Sequence, residues 1–212
     1  MRRERATATL AAIDLPRGMS SPPTLTDLRL PTGRWDSDPA ASSVGFSIAA
    51  GDGTLAAAFT RFRAQLDVAP SGDAVLTGTA AAGSLAVADR RLAVLVATPP
   101  FLDAARHPEL SFASTAIVRD GERVELDGRL TIKGRTLTVT ATGRLDESAG
   151  LHELRLALQT RLDRRQFGLD WPGGAGDDAG AGLGTEARLR VDLRLRRTEP
   201  PPAAGGACAA RA

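Results

Sequence analysis

Few residues in this chain have the type and spacing for chemistry. It has two histidines, His107 and His152, one cysteine, Cys208, and one lysine, Lys133. One cysteine allows no intramolecular disulfide and no cysteine-based metal site, and two distant histidines do not make a multi-histidine one. Asp177-Asp178, within Gly173-Gly-Ala-Gly-Asp-Asp-Ala-Gly-Ala-Gly182, offers carboxylates without the ligand spacing of a calcium loop, so a hairpin tip is the plainer reading. The same glycines neither follow a strand nor open a helix, which argues against a phosphate cradle. His152 sits amid an alternating strand, and no Ser/His/Asp set is recognisable. No catalytic residue, metal ligand or cofactor is therefore assigned. Arg90 and Arg91 could hold a pyrophosphate through bidentate hydrogen bonds, against the alternative of two solvated helix arginines. His107, beside Pro108, could donate to a headgroup, although bonding a local carbonyl at a helix end is simpler. The larger candidate set is apolar: Phe46, Phe62, Phe112, Leu130, Ile132 and Phe167. Burying each contributes on the order of 2 kcal/mol, whether they pack a core or line a ligand's lumen.

Such side chains need strands to aim them inward. The organising stretch is Phe101-Leu-Asp-Ala-Ala-Arg-His-Pro-Glu-Leu-Ser-Phe112. Pro99 and Pro100 suit the start of a helical turn, and Pro108 ends it. Alternation follows, with Leu110, Phe112, Ser114, Ala116 and Val118 on one face. This proline-bounded piece reads as the plug or cover of a β structure. Elsewhere, Val44, Phe46 and Ile48 mark a first strand. Leu55 to Val68 marks a second, with a bend or bulge needed to bring Phe59 and Phe62 to one face. Ala74 to Val87 is a long small-residue strand, and Asp89 could cap a short helix through Arg90 to Val96. Strands over Val124 to Lys133, Thr136 to Leu145, Leu154 to Leu162 and Ala187 to Leu195 complete the pattern. About eight strands with turn signals between several of them predict an all-β fold, an antiparallel barrel with a short helical segment.

The chain has 212 residues, 42% of them hydrophobic, enough for one domain with a sizeable core. Residues 1–32 read as a disordered arm, 33–198 as the barrel, and 199–212 as a disordered Pro/Gly/Ala tail. The net charge of +2 comes from arginines spread among nearly as many acids, which argues against nucleic acid as a partner. Met1-Arg-Arg-Glu-Arg starts like a signal peptide, but Asp14, Pro16 and Arg17 interrupt the apolar run. No stretch approaches the ~18 apolar residues of a membrane span, so a cytoplasmic protein is expected. Abundant Ala, Arg and Gly with a single Lys suggests a bacterial source.

Trp35 with Asp38, Ser42-Ser-Val-Gly-Phe46, Phe59 and Phe62, the 101–112 stretch, Leu130-Thr-Ile-Lys-Gly-Arg-Thr136 and Asp163-Arg-Arg-Gln-Phe-Gly-Leu169 occur in this order. Together they resemble the YceI-like family of polyisoprenoid-binding, lipocalin-like barrels, roughly from Arg34 to Arg197. The resemblance implies a barrel that holds an isoprenoid or other long-chain lipid, without catalysis, and leaves a homodimer open. Two departures stand out. Family members carry a histidine shortly after the first strand, where this chain has Ala49-Ala-Gly-Asp52. They also carry an Arg-Asp-any-His-Leu segment, aligned here with Arg91-Leu92-Ala93-Val94-Leu95. Polar positions have become apolar, which predicts a neutral headgroup over a diphosphate. Two alternatives remain: an isomerase or cyclase using a dry chamber, and a filled barrel whose Arg-rich outer strand binds a partner.

Overall fold

Strands that alternate apolar and polar side chains have one dry face, and a sheet hides that face by curling onto itself. The computed structural model, which describes residues 32–87, 96, 98–147, 152–170 and 182–198, shows this outcome. Among the described residues, eleven strands form one antiparallel sheet: β1 (Gly33–Ser37), β2 (Ser43–Ala50), β3 (Gly53–Phe59), β4 (Phe62–Val68), β5 (Ala74–Ala81), β6 (Leu85–Val87), β7 (Glu109–Asp120), β8 (Arg123–Ile132), β9 (Arg135–Asp146), β10 (Glu153–Asp163) and β11 (Leu183–Thr198). Pairing runs β1–β4–β5–β7–β8–β9–β10–β11, and β11 returns to β1, closing a ring of eight. Above that ring β2 pairs with β11, β3 with β2, and β6 with β3, so they continue β1, β4 and β5. The result is a lipocalin-like up-and-down barrel whose first three passes are each interrupted.

Hydroxyls replace ladder bonds at the interruptions. Ser42 Oγ accepts from Arg194 N at 2.9 Å. Ser84 Oγ accepts from Arg61 N at 3.1 Å and donates to Ala81 O at 2.7 Å. These contacts revise two expected strands. The run 55–68 divides at Thr60-Arg61, which leaves both Phe59 and Phe62 buried. The run 74–87 divides at a short 3-10 helix, Ala82–Ser84. In β7 a bulge between Ser114 and Ala116 shifts the faces. Ile117 therefore packs on the core, and Val118, expected inside, is 63% exposed. Ser114 Oγ accepts from Leu76 N at 2.9 Å, beyond the last β5–β7 ladder pair.

The stretch 101–107 is a chain of tight turns, the last of which, 103–107, is a single helical turn that does not extend into a helix. Arg106 N and His107 N both donate to Asp103 O, at 3.0 and 2.8 Å, and Asp103 itself has φ 49°. A left-handed residue there stops a helix from propagating. The helix expected over 90–96 lies outside the described residues except for Val96, and His152 stands in the turn before β10. The lower end of the barrel is sealed by Trp35, Leu66, Leu126, Leu145, Leu154 and Leu195, each at most 1% exposed. Among the described residues no helix is long and apolar enough to cross a membrane.

Candidate ligand-binding site

Above the sealed floor the inward side chains shorten. Ala64, Gly78, Ala80 and Ala141 border an apolar cavity of about 120 Å³. A second cavity of about 50 Å³ lies nearer the upper end. Phe59, Leu110, Ile132 and Leu189 line both, so the two are parts of one lumen. Phe112, Leu130 and Ile132 line the larger part, and Phe46, Ile132 and Phe167 the smaller. Phe62 is buried but lines neither. Arg90 and Arg91 lie outside the described residues. Of the small residues expected to leave space, Ala80 does so, whereas Ala82 and Gly83 form the 3-10 helix. Phe112 is half-buried, and its ring lies across Gly128, where any Cβ would overlap it.

Phe59, Val139, Leu158 and Leu189 are lining residues that were not singled out from the sequence. Alternation identified Leu158 and Leu189 as inward, but alternation does not separate a lining residue from a packed one. Phe59 was obscured by the strand break that reverses its face.

The lumen offers little for acid–base chemistry. Arg164 borders the upper cavity and is 8% exposed, and its guanidinium is occupied by backbone carbonyls. Nε donates to Gly184 O at 2.8 Å, Nη2 to Leu183 O at 3.2 Å, and Nη1 to Leu169 O. Next to it, Asp163 caps the 3-10 helix Arg164–Phe167 by accepting from Arg165 N at 3.0 Å. The Arg165 guanidinium, bonded to the same carboxylate, and that backbone N–H hold Asp163 down to about 2. Among the described residues no group of three His, Cys, Asp or Glu side chains is placed to hold a metal.

The sealed floor, the eight-pass ring and the apolar lumen invite comparison with known proteins. A family model, the YceI-like domain, matches residues 35–195. The chain belongs to the YceI-like family. Its fold is similar to that of Burkholderia cenocepacia BcnA, at 23% identity and TM-score 0.64, covering 74% of this chain and 98% of that one. It is similar to a polyisoprenoid binding domain from Saccharophagus degradans implicated in plant cell wall breakdown, at 10% identity and TM-score 0.62, covering 77% and 98%. It is also similar to the YceI protein of Campylobacter jejuni, at 16% identity and TM-score 0.55, covering 68% and 85%. At these identities the likeness is one of fold. No curated protein matches the sequence.

In this YceI-like barrel the motif segments meet at the upper end. Phe101 and Phe167, each 1% exposed, both line the upper cavity, and the Phe101 ring stands 6.4 Å from that of Phe46. Lys133 Nζ donates to Pro100 O at 3.1 Å and to Gly168 O at 2.7 Å, and Asp170 N donates to Pro100 O at 2.7 Å. The only lysine thus ties the β8–β9 turn to the proline-bounded plug and to the segment after β10. His107 packs over Gly134, whose φ of 73° and missing side chain admit the imidazole.

Proposed function

We propose that this YceI-like protein binds an isoprenoid or similarly long-chain lipid inside its barrel and carries it without chemical change. The observation that supports this most is the lumen: apolar and incompletely filled, with about 120 Å³ open in its larger part. Binding would transfer apolar surface from water into a space that is largely preformed. The shared fold of a polyisoprenoid binding domain supports the ligand class. Phe46, Phe112, Leu130, Ile132 and Phe167 are the proposed chain contacts, and Arg90 and Arg91 are candidates for the head only where it is a diphosphate. A dry cavity of about 150 Å³ holds one benzene. The empty lumen therefore takes about one ring-sized group, and a longer chain must displace side chains. Half-buried Phe112 is the side chain best placed to swing away.

An isomerase or cyclase reading has less support. It needs an inward acid and base, and among the described residues the charged group bordering the upper cavity is Arg164, already committed to carbonyls. Leu92, Val94 and Leu95 stand where relatives are polar, so a quinone or isoprenol should bind more tightly than an isoprenyl diphosphate of equal length. Salt should change that affinity little. Titration of matched pairs at two ionic strengths tests this. Tighter, salt-sensitive diphosphate binding, lost in Arg90→Ala/Arg91→Ala, would overturn the neutral-head reading. Absence of binding for every chain would remove the lipid reading altogether.

A further inference from the structure

The barrel wall is not paired along its full height. β9 and β10 share ladder partners only from Arg155↔Asp146 to Gln159↔Thr142. Higher up, β9 stays paired to β8 as far as Ile132↔Arg135, and β10 stays paired to β11 as far as Asp163↔Glu186. Residues 135–141 and 160–163 therefore face each other without a ladder. Just below, the strands press together, and a Cβ at Gly143 would overlap Ala157 O. The parting is local. Backbone groups at such an edge need other partners. Thr160 Oγ1 donates to Thr140 O at 2.7 Å, and Arg135 Nη1 donates to Gln166 O at 3.3 Å above it.

Two adjoining clefts follow the parting on the outside. Val139, Leu162 and Phe167 border the upper cleft, and the same three side chains border the lumen, Val139 its larger part and the others its smaller. One layer of side chains separates outside from inside here. The alternative way in, through the upper end, is blocked by Phe101 and Phe167 and held shut through Lys133 and Pro100.

We infer that the parting between β9 and β10 is where the ligand's chain enters the lumen, and that its rim seats the head. The inference rests on the lipid-binding reading. Thr138, Thr142, Gln166, Arg161 and Arg188 place hydrogen-bond donors along the rim. The nearby carboxylates already face arginines: Asp163 lies 2.7 Å from Arg165, and Glu186 lies 3.6 Å from Arg161. Arg188 is a donor-only group at this rim with no carboxylate bonded to it among the described residues. The head that fits is therefore a hydrogen-bond acceptor, of which a quinone carbonyl is the neutral case.

Closing the parting tests this. If the β9–β10 register continued upward, Thr140 and Arg161 would be opposite each other, and both side chains face outward. In the full chain with Cys208→Ser, Thr140→Cys/Arg161→Cys is bridged by oxidation, or by a short bis-maleimide if the thiols do not reach. The probe is a quinone with a long isoprenoid chain, and loading is followed by quenching of tryptophan emission. Compared with the same variant in its reduced form, bridging should slow loading and release at least tenfold each, and reduction of the disulfide should restore both rates. Leu162→Ala should speed loading. A control bridge across the paired strands, Ala113→Cys/Arg129→Cys, should change neither rate. Equal loading with the parting bridged and open would overturn the entry route while leaving lipid binding standing. Failure of the unbridged protein to take up the quinone at all would overturn both.

Discussion

Ala80→Leu separates a ligand lumen from an ordinary core. Ala80 lies on β5 between its ladder partners Phe62 and Leu110, is 8% exposed, and borders the larger cavity. Leucine adds three carbons, and each carbon buried in empty space contributes about 0.8 kcal/mol. Fixing the new rotamers costs roughly 0.5–1 kcal/mol. The empty protein should therefore gain about 1–2 kcal/mol, provided the side chain enters the 120 Å³ cavity unstrained. In a filled core the same change overpacks and costs about 1–3 kcal/mol. Urea unfolding of the lipid-free protein reads the sign, with an unchanged m-value required for a two-state comparison. Quinone titration of the same sample reads function, and affinity should fall at least tenfold because the leucine occupies the chain's place. Ala141→Leu, three strands further around the ring and bordering the same cavity, is the independent repeat. Destabilisation by both variants, or stabilisation with undiminished binding, would refute the reasoning.

Phe112→Ala should cost about 2–3 kcal/mol in the lipid-free protein. It should also admit bulkier chains, and Phe112→Arg should unfold more easily still because an unpaired charge is buried. A normally stable Phe112→Arg protein would place that face outside. Arg164→Ala strips bonds from the carbonyls of Leu169, Leu183 and Gly184 and should cost about 3 kcal/mol by denaturant unfolding. Asp163 is held near 2, below its unfolded value of about 3.9, so its contribution to capping is full above about pH 4 and is lost as pH falls towards 2. Asp163→Asn should flatten that limb of the stability–pH curve, and carboxyl NMR of the wild type should show a midpoint near 2. A chain trimmed to residues 33–198 should keep its thermal midpoint and its ligand, and loss of cooperative unfolding would show that an end belongs to the core.

How far the sequence could be read depended on the range of the forces involved. β10 and β11 turn Leu154, Leu156, Leu158 and Ala187 to Leu195 inward as simple alternation predicts, since the face of a strand is set locally. The breaks were less legible because their cause is distant in sequence. Ser84 replaces a ladder bond of Arg61, and Ser114 one of Leu76. No local pattern announces such a partner, and each break reverses the faces after it, as happened to Val118. Of the apolar set read from alternation, Phe112, Leu130 and Ile132 meet in one cavity. Phe62 had the same signature and packs beside that cavity, because whether an inward ring lines a void depends on the volume of its neighbours. Arg164 was hidden for a related reason. Arginine reads as surface until the carbonyls that surround it are in place.

The central claim is that the lumen holds a long-chain lipid. Native mass spectrometry of the full chain, purified gently from cells, measures this most directly, with solvent extraction and identification of whatever is released. The account predicts a one-to-one adduct whose extract is a single long apolar chain, and predicts that Ala80→Leu purifies without it. Wild-type protein that emerges bare, and stays bare after incubation with isoprenoid quinones, would contradict it.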